Sequence, residues 1–571
     1  MKSPRHILGY RTMSRATILA TLSLVTIVAV VGCQIGIGPV IRPATAPEMR
    51  TAPAPADGAQ RAAGASEAAA KAQPAPYTAK LQFAPPHAQV GATVQIQGSG
   101  YPAGSDVELV WYTAEGRYEL EGGTEFVGQR TDERSSVLTT LKADASGSIS
   151  TKIAVPLDFG GSHDVRGRVN GQEISQASLT IDPTFSMEPR EGPIGTPVEL
   201  KIVGVDSRPN INTWHVLYDN HYFGFMSAVT THGVAVARFR AAGPVGSRLI
   251  SVWHNSFFGI PYLNWQQGPF KDVPSAEFTF KVTGDPGVLP VAVENFSAAD
   301  NPWPLPVNPS GALSFSVDRG TVGQPTTLAG SNLPANTTLK LRWWTMIGNR
   351  VSGTGFSDAS TDLGEVVTGA DGRFSKAMTI PDDLGGQHRM EVLAGDEVVG
   401  AAGLVIQPSV LSISSTRVRA GEQVAIHLKG LGWTTYENTY ATTYDNSYIG
   451  YVCGFSTNGD VQFTVTATGQ PGTHLIDLYP TIYKGKDLQP RIYSMPQLTY
   501  ATDHPQRITP AMQIAIEIVL QRIVDGVAAR GRFPALLRKI DFLGVQRICA
   551  ARHIIKRSQG AGDVVFFRLP V

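Results

Sequence analysis

Cysteine is nearly missing from this chain. Its 571 residues include three, Cys33, Cys453 and Cys549, too few for a disulfide framework. Charge of one sign is missing too: 48 Lys and Arg stand against 47 Asp and Glu, a net of +1, so no global field draws in nucleic acid or anionic lipid. Charged residues make up only 17% of the chain, and one apolar stretch alone approaches membrane-spanning length. His-Glu-x-x-His, Gly-x-Ser-x-Gly, a Walker loop and Cys-x-x-Cys are all absent, and these are spacings that assemble zinc, nucleophile, phosphate and redox chemistry. A disulfide scaffold and a polytopic membrane protein are thereby excluded. The expectation is a non-enzyme with no metal, no cofactor and no nucleic-acid partner. What the chain has in quantity is Gly (59) and Pro (39), high for a folded protein but below the disordered range.

The N-terminus reads as an address. Lys2, Arg5, Arg11 and Arg15 precede an uncharged run from Ala16 to Val31, then Gly32 and Cys33, the layout of a secretory signal. Val30-Val31-Gly32-Cys33 resembles the lipobox of bacterial lipoproteins. That resemblance implies lipidation at Cys33, a signal peptide over 1–33 and a membrane held through the lipid; Gln34 would suit outer-membrane sorting. The alternative is an uncleaved helix over Ile18–Ile37. Residues 34 to 76 hold 14 Ala and 7 Pro, too little apolar bulk to offset ordering entropy, so 34–78 reads as an extended stalk.

Internal repetition is the most informative feature. Gly91 to Thr113 recurs as Gly323 to Thr345, offset by 232. Further on, Gly147 pairs with Gly372 at offset 225, so the second copy has lost seven residues in between. Tyr218-Asp-Asn-His-Tyr-Phe-Gly-Phe225 returns as Tyr444-Asp-Asn-Ser-Tyr-Ile-Gly-Tyr451 at offset 226. This is a tandem duplication of about 200 residues, and each copy divides into two modules of the usual domain size of about 100. Val94 and Ile96, then Val107, Leu109 and Trp111, alternate with polar neighbours, the period of half-buried strands. No helical periodicity of useful length occurs between residues 80 and 500. The expected fold is all-β: tandem immunoglobulin-like β-sandwiches over 79–183, 184–284, 313–408 and 409–503. A Pro-rich linker over 285–312 should join two arms as a stiff elbow. Gly91, Val94, Ile96, Gly98, Gly100, Tyr101 and Pro102 form a pattern that resembles the IPT/TIG-type immunoglobulin-like repeat of bacterial surface proteins. Gly323, Gly330, Leu333 and Pro334 match it in the second copy.

Two sets of residues invite a functional reading. His163 and His388 sit beside Asp158 and Asp383 in both copies; a metal pair is one reading, and side chains that cap a Gly-Gly turn or face solvent are the other. Tyr218, Asp219, Asn220 and Tyr222, with Tyr444, Asp445, Asn446 and Tyr448, read as hairpins whose tyrosines pair across strands. As a binding edge, their rings would meet sugar or peptide while Asp and Asn supply hydrogen bonds. If they are purely architectural, the tyrosines are buried. Cys453 aligns with Ser227 and reads as a small buried residue.

After residue 503 the character changes. From Arg507 onward there are 11 Lys and Arg against 4 Asp and Glu. Pro510 and the stripe Ile514, Ile516, Ile518, Val519, Ile523 and Val524 read as a first helix, and 534–556 as a second. The 504–571 tail is thus expected to be helical, as a docking pair, a basic amphipathic membrane contact or the product of an altered reading frame. The expectation as a whole is an envelope protein facing outside the cytoplasm, at the outer membrane or cell surface. It would act in binding, adhesion or spacing toward a glycan or surface protein. The alternative is an enzyme or enzyme accessory for envelope polysaccharide.

Overall fold

The computed structural model describes residues 77–520, except 122–124, 209–210, 255–273, 295–310, 350–354, 435, 455, 483–494 and 506–510. The signal segment with Cys33, most of the stalk, and the tail beyond 520 lie outside the described residues. Every regular element among the described residues is a β-strand.

Four stretches of chain each enclose a core. In the first, the strands Lys80–Ala84, Thr93–Ser99 and Ile149–Ala154 form one sheet. A second sheet runs in the order His87–Ala88, Gln172–Ile181, Gly161–Val169, Asp106–Glu121, Glu125–Lys142. Alternate residues of both turn inward, so that Val94, Ile96, Val107, Leu109, Trp111, Val165 and Leu179 form one apolar cluster. The second stretch repeats this plan: Val234–Arg240, Pro197–Val203 and Thr184–Glu188 lie in one sheet. The other holds Glu191–Gly192, Pro274–Val282, Gly246–His254, Thr213–Tyr218 and, at its edge, His221–Ser227. In the third stretch, Gly311–Phe315 pairs with both Pro325–Ser331 and Glu397–Ile406, joining its strands into one eight-stranded sheet. Trp111 and Trp343 are 2% and 1% exposed, core anchors as their alternation implies.

The hairpin Asp106–Lys142 is seven residues longer than its counterpart Thr338–Val367, which places the residues lost from the second copy. The extra length reaches the fourth stretch. There Phe126 clusters with Tyr436 and Ile482, and Tyr118 Oη donates to Asp503 Oδ2 at 3.1 Å.

The fourth stretch corrects the sequence reading. Ser409–Ile413, Gln423–Lys429 and Val461–Thr466 form one sheet; the other runs Ala292–Val293, Met512–Ile518, Gly472–Pro480, Thr439–Tyr444, Ser447–Cys453. Met512–Ile518 is a strand, not the start of a helix, and the body extends to residue 518, not 503. Ile514, Ile516 and Ile518 are spaced by two and buried at 2% or less, the period of a strand.

The stiff elbow is also corrected. Ala292–Val293, within the Pro-rich stretch, is itself a strand on Met512–Ile518, and Asp285 accepts from Thr473 N at 2.7 Å. Leu475, Tyr479, Leu498, Tyr500, Ala511 and Ala515 of the fourth stretch share one continuous core with Val216, Tyr218, Phe223 and Phe239 of the second. The copies are fused by packing.

Candidate functional site

The buried polar groups with the richest chemistry come in duplicate. Asp158, 5% exposed, accepts from Trp111 Nε1 at 2.7 Å, Thr113 Oγ1 at 2.6 Å and Phe159 N at 2.8 Å. Asp383 accepts from Trp343 Nε1 at 2.7 Å and from Thr345 Oγ1 and Leu384 N at 2.8 Å. His163 stacks on Trp111, centroids 4.5 Å apart, with its ring nitrogens against Tyr112 O and Phe159 O at 3.0 and 2.7 Å. His388 repeats this on Trp343, against Trp344 O and Leu384 O at 3.1 and 2.7 Å. Both ring nitrogens in each copy therefore lie within hydrogen-bond distance of backbone carbonyls, which occupy the approach a metal would need. No group of three or more metal-ligating side chains occurs among the described residues. The solvated reading is corrected too, since both histidines are buried.

The cluster braces a joint. Gly160 N donates to Val205 O at 3.0 Å, and Gly385 N to Leu431 O at 2.8 Å. A Cβ on Gly160 would stand 1.8 Å from Gly204 O, and one on Gly385 1.9 Å from Gly430 O, so only glycine lets the chains meet there. Asp158→Ala strands three donors, each costing about 1–3 kcal/mol when left buried and unpaired. Its expected effect is a loss of about 3 kcal/mol or more, read by chemical denaturation; a change under about 0.5 kcal/mol would contradict the bracing role.

The Tyr-Asp-Asn hairpins fold as their sequence implies. Asp219 and Asn220 have φ of 47° and 65°, Asp445 and Asn446 of 46° and 60°, the left-handed pair of a two-residue turn. Their tyrosines do not pair across the strands: Tyr218 stands opposite His221, and Tyr222 opposite Leu217. Nor does Tyr218 present a face for sugar. It is 2% exposed, and its hydroxyl donates to Ala242 O at 2.9 Å and accepts from Ala242 N at 3.1 Å. Tyr444, half-buried and pushed by burial to about 12, makes the same bracket to Thr468 O and N. Tyr222 Oη lies 2.9 Å from His215 Nδ1, and Tyr448 is half-buried. Asn446 is 1% exposed and donates to Arg240 O at 2.8 Å, whereas Asn220 is exposed. The aromatic binding edge at Tyr218 is thus replaced by an architectural role.

The two turn aspartates hold cations. Asp219 accepts from Arg248 Nη1 and Leu249 N, both at 2.9 Å; Asp445 stands 2.5 Å from His474 Nδ1 and accepts from Leu475 N at 2.9 Å. Burial pushes the His474 imidazole down, but the Asp445 hydrogen bond and charge, with Gln470 O on the other nitrogen, carry it above its ordinary value of 6.5. A folded value above the unfolded one stabilises fully below pH 6.5 and loses that contribution as pH rises through the folded value. The thermal midpoint of wild type should therefore fall relative to His474→Arg as pH rises above 6.5, and parallel curves would contradict this.

Between the second and fourth stretches, Arg240 and Asp477 form a buried ion pair, 7% and 3% exposed, and Arg240 also donates to Ile514 O at 2.9 Å. Burial raises the Asp477 carboxyl above its ordinary value while the guanidinium opposes that shift. The pair floors a cleft of about 360 Å³ with Tyr479 and Tyr500, rimmed by Glu188, Glu199, Arg238 and Glu294. Tyr500 Oη donates to Glu294. Sequence reasoning missed this cleft. Its one available signal was asymmetry: at offset 226, Arg240 aligns with Thr466 and Asp477 with Ser251, charges that one copy has and the other lacks. Cys453 is free and half-buried, more open than expected.

The fold defines the class, an all-β chain of stacked, mainly antiparallel sheets around apolar cores. No protein-family profile and no curated protein matches the chain. Among solved structures it is similar to the native conformation of E. coli alpha-2-macroglobulin, at 10% identity and TM-score 0.16, over 76% of this chain and 30% of that one. This chain therefore matches under a third of that protein's length. A proposed membrane-anchored protein from Corynebacterium diphtheriae matches at 10% identity and TM-score 0.16, over 78% and 92% of the two chains. The human OSCAR ligand-binding domain matches at 12% and 0.13, over 39% and 97%. Scores this low assign neither topology nor role.

Proposed function

We propose that this chain is an exported, lipid-anchored envelope protein that works without catalysis, as four immunoglobulin-like modules in a duplicated pair presenting surfaces for adhesion, binding or spacing. One observation carries the non-catalytic part. The groups best suited to chemistry, Asp158, His163, Asp383 and His388, are buried twice over in the same arrangement and are saturated by backbone and indole partners. Duplicated fixation of this kind rigidifies a joint. The Cys33 lipobox and the Ala/Pro stalk support attachment, and the IPT/TIG-like pattern supports a surface role.

Fatty-acid labelling and cell fractionation test the attachment: wild type should label and sediment with membranes, and Cys33→Ala should do neither. Labelling of Cys33→Ala equal to wild type would overturn it. Saturable binding of the full chain to a glycan or cell-wall fraction tests the binding role. The rival reading, an enzyme or accessory for envelope polysaccharide, is favoured by the cleft carrying Glu294, Asp477, Tyr479 and Tyr500. It predicts polysaccharide cleavage abolished by Glu294→Gln.

A further inference from the structure

The outward face of one sheet in the first stretch carries chemistry that its duplicate lacks. Lys80–Ala84, Thr93–Ser99 and Ile149–Ala154 turn Leu81, Val94, Ile96 and Ile149 into the core and the alternate residues outward. On that outer side Gln82, Gln97 and Ser150 stand in one row across the sheet, with Gln95 and Lys152 in the next. Gln82 Nε2 donates to Gln97 Oε1 at 3.1 Å, and Gln95 Nε2 to Ser150 Oγ at 2.9 Å. A glutamine has two N–H donors and a carbonyl acceptor, so each bond fixes its side chains and leaves capacity to spare. Lys80 stands one row the other way, and with Gln82, Gln97 and Ser150 it lines a hollow of about 360 Å³.

Lys80 and Lys152 are exposed, and among the described residues neither enters an ion pair. The three strands hold no Asp or Glu, and the carboxylate of nearby Asp144 is taken by Ser146 N and Ser148 N at 2.8 and 2.9 Å. The connections that border the face, 85–92, 100–105, 143–148 and 155–160, all lie among the described residues. The start of this stretch runs along the other sheet, where Tyr77 Oη donates to Gln176 Oε1 at 2.5 Å and Ala79 N to Ile174 O at 2.9 Å. In the third stretch the same three strands pair in the same register. They carry Ala312, Ser314, Thr327, Ala329, Ser375 and Ala377 at the positions of Lys80, Gln82, Gln95, Gln97, Ser150 and Lys152. The sheet therefore forms with neither amide nor lysine on that face, and folding does not account for them.

We propose that this face of the first stretch binds an acidic polysaccharide. The amides and the Ser150 hydroxyl meet sugar hydroxyls, and Lys80 and Lys152 pair with acidic groups along the chain. The hollow falls within the range of about 300–1,000 Å³ usual for ligand sites. No large apolar side chain of these strands is exposed, so the face lacks the apolar anchor of a protein interface and the aromatic platform of a single-strand nucleic-acid site. Two cations without a facing carboxylate give the acidic ligand its preference over a neutral one. This inference rests on the binding role above and names the class of ligand for it.

The probe is polygalacturonate, with a carboxylate on every sugar, titrated into the full chain beside neutral dextran. Expected is saturable binding of polygalacturonate, at least about fivefold weaker in both Lys80→Ala/Lys152→Ala and Gln82→Ser/Gln97→Ala. Both variants install residues that the third stretch carries, so they should fold, and unchanged thermal midpoints would establish it. Lys80 and Lys152 should be acetylated readily in the free chain and more slowly in the bound one. No saturable binding by folded wild type would overturn the inference. Binding that both variants leave intact, or lysines that resist acetylation in the free chain, would do the same. Equal binding of dextran, or equal competition by duplex DNA, would also overturn it, because the face would then not select an acidic sugar chain. Failure here with cell-wall binding retained removes this face alone; failure of both removes the binding role.

Discussion

A chain ended after Pro505 is expected to lose the fold of its fourth stretch, while one ended after Leu520 keeps it. Met512–Ile518 lies between Gly472–Pro480 and Ala292–Val293 and also pairs with Arg417–Val418. It buries Met512, Ile514, Ile516 and Ile518, each at 2% exposure or less. At about 1.5–3 kcal/mol for each such side chain, the strand contributes about 6–12 kcal/mol, comparable to the whole stability of a typical domain. Its removal also strips the second stretch of Ala511 and Ala515 from the shared core. Limited proteolysis should show early cleavage within 409–505 in the shorter chain only. Equal resistance of both chains would return the strand to the tail.

Asp477→Ala should be the most damaging single substitution at the seam between the copies. It leaves the Arg240 guanidinium buried against Ile514 O with no counter-charge, a defect that costs about 3–5 kcal/mol in comparable sites. Arg240→Met with Asp477→Leu should lose far less, because both charges leave the apolar interior together. Chemical denaturation of the two variants separates the cases. If the single and double variants unfold alike, the pair is not what holds the seam.

Strand periodicity, hairpin turns and the duplication were legible because each is a local pattern. Val94 and Ile96 alternate by two, and Asp219-Asn220 tolerates a left-handed turn wherever it occurs. Met512–Ile518 was misread because a basic tail follows it and apolar residues crowd its stripe, although Pro274–Val282 aligns with Pro510–Ile518 at offset 236. Phe278, Phe280 and Val282 there match Ile514, Ile516 and Ile518. Burial of Tyr218 was not legible, because a hairpin tyrosine faces solvent or a core according to what packs on its sheet. Here part of that cover comes from the other copy, more than two hundred residues away. The Arg240–Asp477 pair depends on the same long-range packing, which no spacing records.

The most direct test of the central claim, binding without catalysis, is to incubate the full chain with envelope polysaccharide and follow both phases by mass spectrometry. Polysaccharide should be retained by the protein and unchanged in length. Shortened products that disappear in Glu294→Gln would contradict it.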